Sequence, residues 1–277
     1  MNLINGDIIA KKILAQTKRR VTSLKKRGIT PRLVVVLVGD NKPSQTYVLK
    51  KKTAGEAIGM QVDVYTFTKN ITEKMLIKKL KQIQTKNIHG MIIQLPLPKH
   101  LHTGRVVNVI NPAIDVDYLT YENLGKLLRN DQDMTPPTPG AILHILETLN
   151  VDIVGKNITL VGTGNLVGKP LSLLLMNRLA NISTCNHKTK NIKKKCREAD
   201  IIITAVGKKD LITKDMVKKG TIVIDAGVSF TDKKMHGDVD MKGVSKRASH
   251  ITPTPGGVGP ITVAKLLENT VLNASKH

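Results

Sequence analysis

The chain has 277 residues, with 44 Lys and Arg against 21 Asp and Glu and a formal charge of +23. It is 40% hydrophobic but only 2% aromatic, without Trp, so it is a globular chain whose core is built from Ile, Leu and Val rather than a disordered one. No run approaches the about 18 apolar residues of a membrane span, the two cysteines form neither a C-x-x-C nor a disulfide framework, and the lysine runs at 50–52 and 193–195 lack the aromatics that stack on bases.

The length suits one large or two medium domains. Ile8, Ile9, Ile13, Leu14, Val21 and Leu24 recur at helical spacing and predict an opening helix that ends near Gly28. Residues 33–38 form an apolar run between Pro31 and Gly39, which predicts a buried strand. A helix is predicted from Ser44 to about Ile58, a strand over 62–67, a helix over 72–85 and a strand over 90–97. Residues 111–137 are polar and irregular, with a helix at 121–129, and carry the domain hinge. A helix over 138–149 leads into a second α/β unit. Its strands are predicted at 158–161, 182–185, 201–206 and 221–225, with a helical turn at 214–218. Residues 251–262, ITPTPGGVGPIT, read as a rigid loop without regular structure. A final helix follows over 263–272. Alternation of helices and strands in both halves predicts two α/β domains.

The stretch 159–170, TLVGTGNLVGKP, joins a strand to a helix through Gly162, Gly164 and Gly168. Glycines at such a turn let a pyrophosphate approach the backbone, and the helix N-terminus favours its charge. The spacing is one residue longer than the common dinucleotide fingerprint. An NAD site usually places an acid at the end of the next strand. Here that end reads Cys185, Asn186, His187, Lys188, Thr189 and Lys190, which favours the 2′-phosphate of NADP. His187 and Lys188 are equally readable as plain exposed loop residues. Asp225 is either a strand-end cap or part of a segment, through Val228, that offers backbone to the nicotinamide.

Tyr47 and Lys51 lie on one face of a predicted helix, with Ser44 one turn earlier. Such a pair can polarise a carbonyl or move a proton, provided burial depresses the Lys pKa. Gln94 stands in an otherwise apolar strand, where a polar side chain must find a partner. Asp115 and Asp117 are suited either to a turn or to an amino-bearing heterocycle. The eight His residues show no metal-ligand spacing, so no metal site is expected.

These segments together resemble the bifunctional methylenetetrahydrofolate dehydrogenase/methenyltetrahydrofolate cyclohydrolase family. The likeness runs through Val38-Gly39-Asp40, Ser44, Tyr47 and Lys51, then Gln94-Leu95-Pro96-Leu97-Pro98, Asp115-Val116-Asp117, the Gly162 to Pro170 turn and Pro255-Gly256-Gly257-Val258-Gly259-Pro260. The longer glycine spacing is itself a family feature. The resemblance implies an N-terminal α/β catalytic, folate-binding domain over 1–120 and a Rossmann-like NADP-binding domain with a parallel sheet over 138–262, with a cleft between them. The helix over 263–277 would pack back on the first domain. It implies oxidation of 5,10-methylenetetrahydrofolate by NADP+, then hydrolysis to 10-formyltetrahydrofolate.

By the same resemblance Lys51 is the central catalytic residue and Gln94 tunes it by a hydrogen bond. Tyr47 packs on the aminobenzoate ring, Asp117 binds the pterin's polar edge, and Ser44 supports the site. Pro255, Gly256 and Gly257 line the folate site, while Gly162, Thr163, Gly164, Gly168, His187, Lys188 and Val228 hold NADP. The resemblance also implies a homodimer serving purine and amino-acid biosynthesis; the unpaired cysteines fit a reduced cytoplasm, no apolar run points to a membrane, and lysines spread along the chain argue against a nucleic-acid partner. The chain departs from the family pattern at Tyr118, in place of the usual Gly, and at Pro137, Ala141, Thr163 and Gly164. The last two remove phosphate contacts, which leaves NAD use less excluded. The rival readings are a cyclohydrolase with weakened dehydrogenase activity, and a basic nucleic-acid-binding protein on an enzyme scaffold.

Overall fold

A computed structural model describes residues 1–231 and 234–276; the last residue of the expected C-terminal helix, His277, lies outside them. The elements in chain order are β1 (Asn2–Leu3), α1 (Gly6–Lys26), β2 (Arg32–Val38), α2 (Lys42–Ala57), β3 (Gln61–Phe67), α3 (Glu73–Ile83), β4 (Gly90–Ile93), α4 (Thr103–Val107), α5 (Tyr121–Leu128) and α6 (Pro137–Thr148). They continue as β5 (Asn157–Val161), α7 (Gly168–Asn177), β6 (Asn181–Cys185), α8 (Ile192–Glu198), β7 (Ile201–Thr204), β8 (Ile222–Asp225), β9 (Ser229–Thr231), β10 (Lys234–His236), α9 (Met241–Val244), β11 (His250–Ile251) and α10 (Val258–Ala274). The chain divides into two compact units, Lys11–Pro137 with Val263–His277, and Met1–Ala10 with Thr138–Thr262.

The first unit is built on a parallel sheet in the order β3-β2-β4. Central β2 is apolar without alternation because both of its faces are covered. Leu33, Val35 and Leu37 enter a core with Val48, Ile92, Leu266, Leu267 and Val271. Val34, Val36 and Val38 enter another with Leu76, Leu80, Met91 and Ile93. The C-terminal part of α10 therefore shares a core with β2. Helix starts follow local capping. Asn41 accepts from the Ser44 N–H and Pro43 occupies the first turn of α2, while Thr72 caps α3 and Thr120 caps α5.

The second unit carries a parallel sheet in the order β1-β11-β8-β7-β5-β6. From β5 the chain moves to β6 on one side, then to β7 on the other. That reversal opens a crevice beyond the carboxyl ends of β5 and β7, where ligands of such sheets bind. β9 and β10 pair antiparallel as a separate two-stranded sheet.

Several sequence expectations change, among them the strand expected over 201–206, which ends at Thr204. The strand expected over 90–97 ends at Ile93, so Gln94 stands just beyond it, although its N–H still donates to the Val36 carbonyl at 2.8 Å. The loop expected over 251–262 becomes α10 from Val258, because Pro260 falls in the first turn, where the N–H it lacks would have no intrahelical acceptor. Helix α2 begins two residues before Ser44, set by its Asn41 cap. Residues 1–10 sit with the second unit because β1 extends its sheet, Asn2 opposite His250 and Leu3 opposite Ile251.

Candidate active site and cofactor site

In the first unit, α2 presents Ser44, Tyr47 and Lys51, and the end of β4 presents Gln94. Ser44 is buried in the first turn of α2. Tyr47, one turn on, is half-buried, and burial raises its phenol pKa. Lys51 Nζ donates to Gln94 Oε1 at 2.8 Å. Gln94 Nε2 donates to the Leu95 carbonyl at 2.8 Å. The carbonyl accepts only, so the amide's orientation is decided, and its oxygen is what Lys51 meets. Desolvation lowers the Lys51 pKa, and the charge of Asp117 opposes that fall. The Asp117 carboxyl is pushed up to about 6, by burial first; Lys51 pulls it down and Asp115 pushes it further up. The structure thus joins Lys51 to Gln94 by a hydrogen bond and sets Asp117 close enough for the two charges to act on each other.

The loop bearing Asp117 is held through Asp115 and Tyr118, which stand out in the sequence, and through Thr120, Asn123, Asp133 and Asn269, which do not. Asp115 is fully buried, and its Oδ2 accepts from the Thr120 N–H at 2.8 Å and from Asn123 Nδ2 at 3.0 Å. Asn269 Nδ2 donates to the Val116 carbonyl at 3.1 Å and to the Thr135 carbonyl at 2.8 Å. Tyr118 is 1% exposed and adopts φ +62°. That left-handed conformation is why a glycine suits the position. Its hydroxyl donates to Asp133 Oδ1 at 3.2 Å.

In the second unit, Gly162 follows β5 with φ +109°. A Cβ there would collide with the Ala205 carbonyl beyond β7. A Cβ on Gly168 would collide with the Gly162 carbonyl and the Thr163 Cα. These two glycines are required by close backbone approaches. Gly164 is exposed, with nothing within 4 Å of an added Cβ. Helix α7 starts without a side-chain cap, but the Lys169 N–H donates to the Gly164 carbonyl at 3.0 Å and Pro170 has no N–H, so an anion here meets the helix dipole more than a row of open donors. Past β6, the Asn186 side chain accepts from the Lys188 N–H at 2.9 Å, while Thr189 Oγ1 accepts from the Asn186 N–H at 2.9 Å. This turn leaves His187 and Lys188 exposed. A tight glycine turn between β5 and the N-terminus of α7, with no acid beyond β6, fits a phosphorylated dinucleotide.

Asp225 acts as the strand-end cap of the two roles open to it. Its carboxylate accepts from the Gly227 N–H at 2.9 Å and the Val239 N–H at 3.0 Å. The neighbouring Asp238, fully buried, accepts from Thr204 Oγ1 and from the Val206, Gly207 and Lys208 N–H groups at 2.7–2.8 Å. This pair shapes the loops beyond β7 and β8. Val228, partly exposed, lies on the second of them, its carbonyl 3.0 Å from where a Gly207 Cβ would stand. Asp238 carried no sequence signal, since an acid between glycine and valine reads as an exposed turn. Pro255, Gly256 and Gly257 lie on the loop before α10. The Gly6 N–H donates to the Gly256 carbonyl at 2.8 Å, and a Cβ on Gly257 would collide with the Pro253 carbonyl. Among the described residues, no group of three or more His, Cys, Asp or Glu is placed to hold a metal ion, and no helix is long and apolar enough to cross a membrane.

Residues 4–117 match the family described as tetrahydrofolate dehydrogenase/cyclohydrolase, catalytic domain. Residues 136–277 match its NAD(P)-binding domain. The chain is 45% identical over 273 residues to the bifunctional protein FolD of Nautilia profundicola, covering 98% of this chain and 96% of that one. The crystal structure of the bifunctional enzyme FolD from Campylobacter jejuni superposes with a TM-score of 0.97 at 40% identity, covering 100% and 99% of the two chains. The Trypanosoma brucei dehydrogenase-cyclohydrolase, solved with NADP cofactor and inhibitor, gives 0.96 at 32% identity, covering 99% and 97%. On both domains and over nearly its whole length, the chain belongs to the tetrahydrofolate dehydrogenase/cyclohydrolase family.

Proposed function

We propose that the protein oxidises 5,10-methylenetetrahydrofolate to 5,10-methenyltetrahydrofolate with NADP+ and hydrolyses the product to 10-formyltetrahydrofolate, in one-carbon metabolism. The Lys51–Gln94–Asp117 cluster carries this reading. Hydrolysis adds water to an electrophilic carbon and needs a group that takes the water's proton. A lowered pKa gives Lys51 a larger share of free amine, the form able to do so. Gln94 holds that amine in place through a neutral acceptor, which favours the ammonium less than a carboxylate would. Asp117 binds the pterin's polar edge, Tyr47 packs on the aminobenzoate ring, and Ser44 supports the start of α2. Pro255, Gly256 and Gly257 add contacts to folate.

NADP+, when bound, accepts the hydride. Gly162, Thr163, Gly164 and Gly168 receive its pyrophosphate, His187 and Lys188 its 2′-phosphate, and Val228 contributes at the nicotinamide end. Hydride transfer needs mainly orientation of the two bound molecules, so no further acid or base is assigned to it. The assignments of residues 1–120 to folate chemistry and 138–262 to NADP rest on the same reading.

The positive charge serves solvated helix faces and attracts anionic folate and NADP+, rather than nucleic acid. We place the enzyme in the cytoplasm as a homodimer, supplying one-carbon units to purine and amino-acid biosynthesis. The deciding experiment assays purified protein for both reactions with NADP+ and NAD+. Both activities, with NADP+ preferred, are expected. Hydrolysis without appreciable hydride transfer would leave a cyclohydrolase alone, and the absence of both would overturn the reading. Sedimentation analysis tests the dimer.

A further inference from the structure

A tyrosine in the left-handed region needs a reason. Side chains other than glycine, Asn and Asp meet their own backbone there, at a cost of about 1–2 kcal/mol. Tyr118 holds φ +62° and is nonetheless 1% exposed, among the largest fully buried side chains described. It immediately follows Asp117, so its backbone angle fixes the course of the chain on the C-terminal side of Asp117.

What fixes the tyrosine is a chain of three polar groups. Its hydroxyl donates to Asp133 Oδ1 at 3.2 Å, and Asp133 Oδ2 accepts from Lys276 near the chain end. Burial works against ionisation of Asp133, but the hydrogen bond and charge of Lys276, with the Tyr118 hydroxyl, outweigh it and hold the carboxyl below its usual range. Asp133 is therefore a charged acceptor, and bonds to charged acceptors are the stronger kind. Asn269 crosses the same two segments through the Val116 and Thr135 carbonyls. Asn269 thus holds the residue before Asp117, and the tyrosine holds the residue after it.

We infer that Tyr118 is a positioning residue for folate: the Tyr118–Asp133–Lys276 chain clamps the left-handed turn that aims Asp117 at the substrate. This rests on the assignment of Asp117 to the pterin's polar edge. The clamp replaces the freedom of a glycine at this turn by a fixed anchor, so its loss weakens folate binding without touching the NADP+ site.

The test compares wild type, Tyr118→Phe, Tyr118→Gly, Asp117→Asn and the Tyr118→Phe/Asp117→Asn double variant. Readouts are KM for 5,10-methylenetetrahydrofolate, KM for NADP+, kcat, and the dissociation constant of tetrahydrofolate by calorimetry. Removing one hydroxyl bonded to a charged acceptor is expected to raise the folate KM and dissociation constant about tenfold, with kcat and the NADP+ KM little changed. Tyr118→Gly, which relieves the backbone, is expected to lose as much. In the Asp117→Asn background the Tyr118→Phe loss should vanish, because both act through one carboxylate. Asp133→Ala breaks the clamp from its exposed end and should reproduce the effect where Tyr118→Phe folds poorly. Unchanged folate affinity in Tyr118→Phe and Asp133→Ala, beside a loss in Asp117→Asn, overturns the clamp and leaves the Asp117 assignment standing. Fully additive losses also overturn it. No loss in Asp117→Asn removes both.

Discussion

Lys51 Nζ meets Gln94 Oε1 at 2.8 Å, and the amide is oriented by its own bond to the Leu95 carbonyl. Two elements are locked by this contact: α2, which carries Lys51, and the end of β4, from which Gln94 projects. The partner is neutral, so it positions the amine without pinning it in the charged state. A carboxylate at the same point would position it equally well and raise its pKa.

Gln94→Glu separates these roles. The variant keeps an oxygen facing Lys51 but adds a negative charge, so the pH profile of hydrolysis should move to higher pH by about one unit or more. Activity at neutral pH should fall while the folate KM changes less. An unshifted profile would show that the lysine's proton does not limit the step.

Lys51→Met keeps the stem and removes the amine. Hydrolysis should drop about 10²-fold or more. The thermal midpoint should change little, because relief of a desolvated charge offsets the loss of the Gln94 bond and of the cation beside Asp117. Hydrolysis at the wild-type rate would sink the role given to Lys51.

The parts of this fold written locally are legible in the sequence. Residues 33–38 announce a strand covered on both faces because the run is apolar without a break, and Gln94 stands out as a polar residue where the apolar run ends. The Gly162 turn is visible because its backbone approaches require glycine at fixed spacing. Tyr118 with Asp133, and Asp238 with Thr204, are not visible. Their partners are 15 and 34 residues away, and only the folded chain makes them neighbours. The start of α10 misleads because Pro and Gly, which mark loops in isolation, are also tolerated in a helix's first turn.

The three glycines of the cofactor turn should respond differently. Gly168→Ala drives a Cβ into the Gly162 carbonyl and the Thr163 Cα, backbone atoms that cannot turn aside. It should cost about 1–3 kcal/mol of stability and raise the NADP+ KM. Gly162→Ala adds a left-handed backbone to the same kind of collision. Gly164→Ser meets open space, and its stability should stay within about 0.5 kcal/mol of wild type. Its hydroxyl should leave the NADP+ KM unchanged or lower it. Equal loss in all three would mean that Gly164 is as tightly enclosed as Gly162 and Gly168.

Lys188→Ala and His187→Ala test the 2′-phosphate assignment. Both side chains are exposed beyond β6, so their removal should leave the fold intact. The NADP+ KM should rise about 3- to 10-fold for Lys188→Ala, the size of one exposed charge contact. The NAD+ KM should not move. A parallel change for both nucleotides would place these residues elsewhere in binding.

Asp225 makes the fold's stability depend on pH in a direction opposite to that of most carboxylates. Its carboxyl is pushed up to about 7, by burial first and by the charge of the neighbouring Asp238, against the favourable bonds from the Asp238, Gly227 and Val239 backbone N–H groups. In the unfolded chain it titrates near 3.8. Between those values the native state holds the proton and the unfolded state does not, so stability falls as pH rises across the window and levels off above about 7. Asp117 adds the same sign, but its contribution is spent by about pH 6. Asp133 and Asp200, held below the usual range by lysine partners, act in the opposite sense and only at more acid pH, where their stabilisation is lost as pH falls. Urea midpoints measured from pH 5 to 8 should therefore decline less steeply in Asp225→Asn than in wild type. The variant's absolute stability is a separate matter, since an amide nitrogen cannot accept the bond that one carboxylate oxygen now takes. The difference in slope isolates the titration from that loss. Parallel curves for the two proteins would mean that Asp225 is ionised throughout the range, and that the N–H groups of Gly227 and Val239 outweigh its burial.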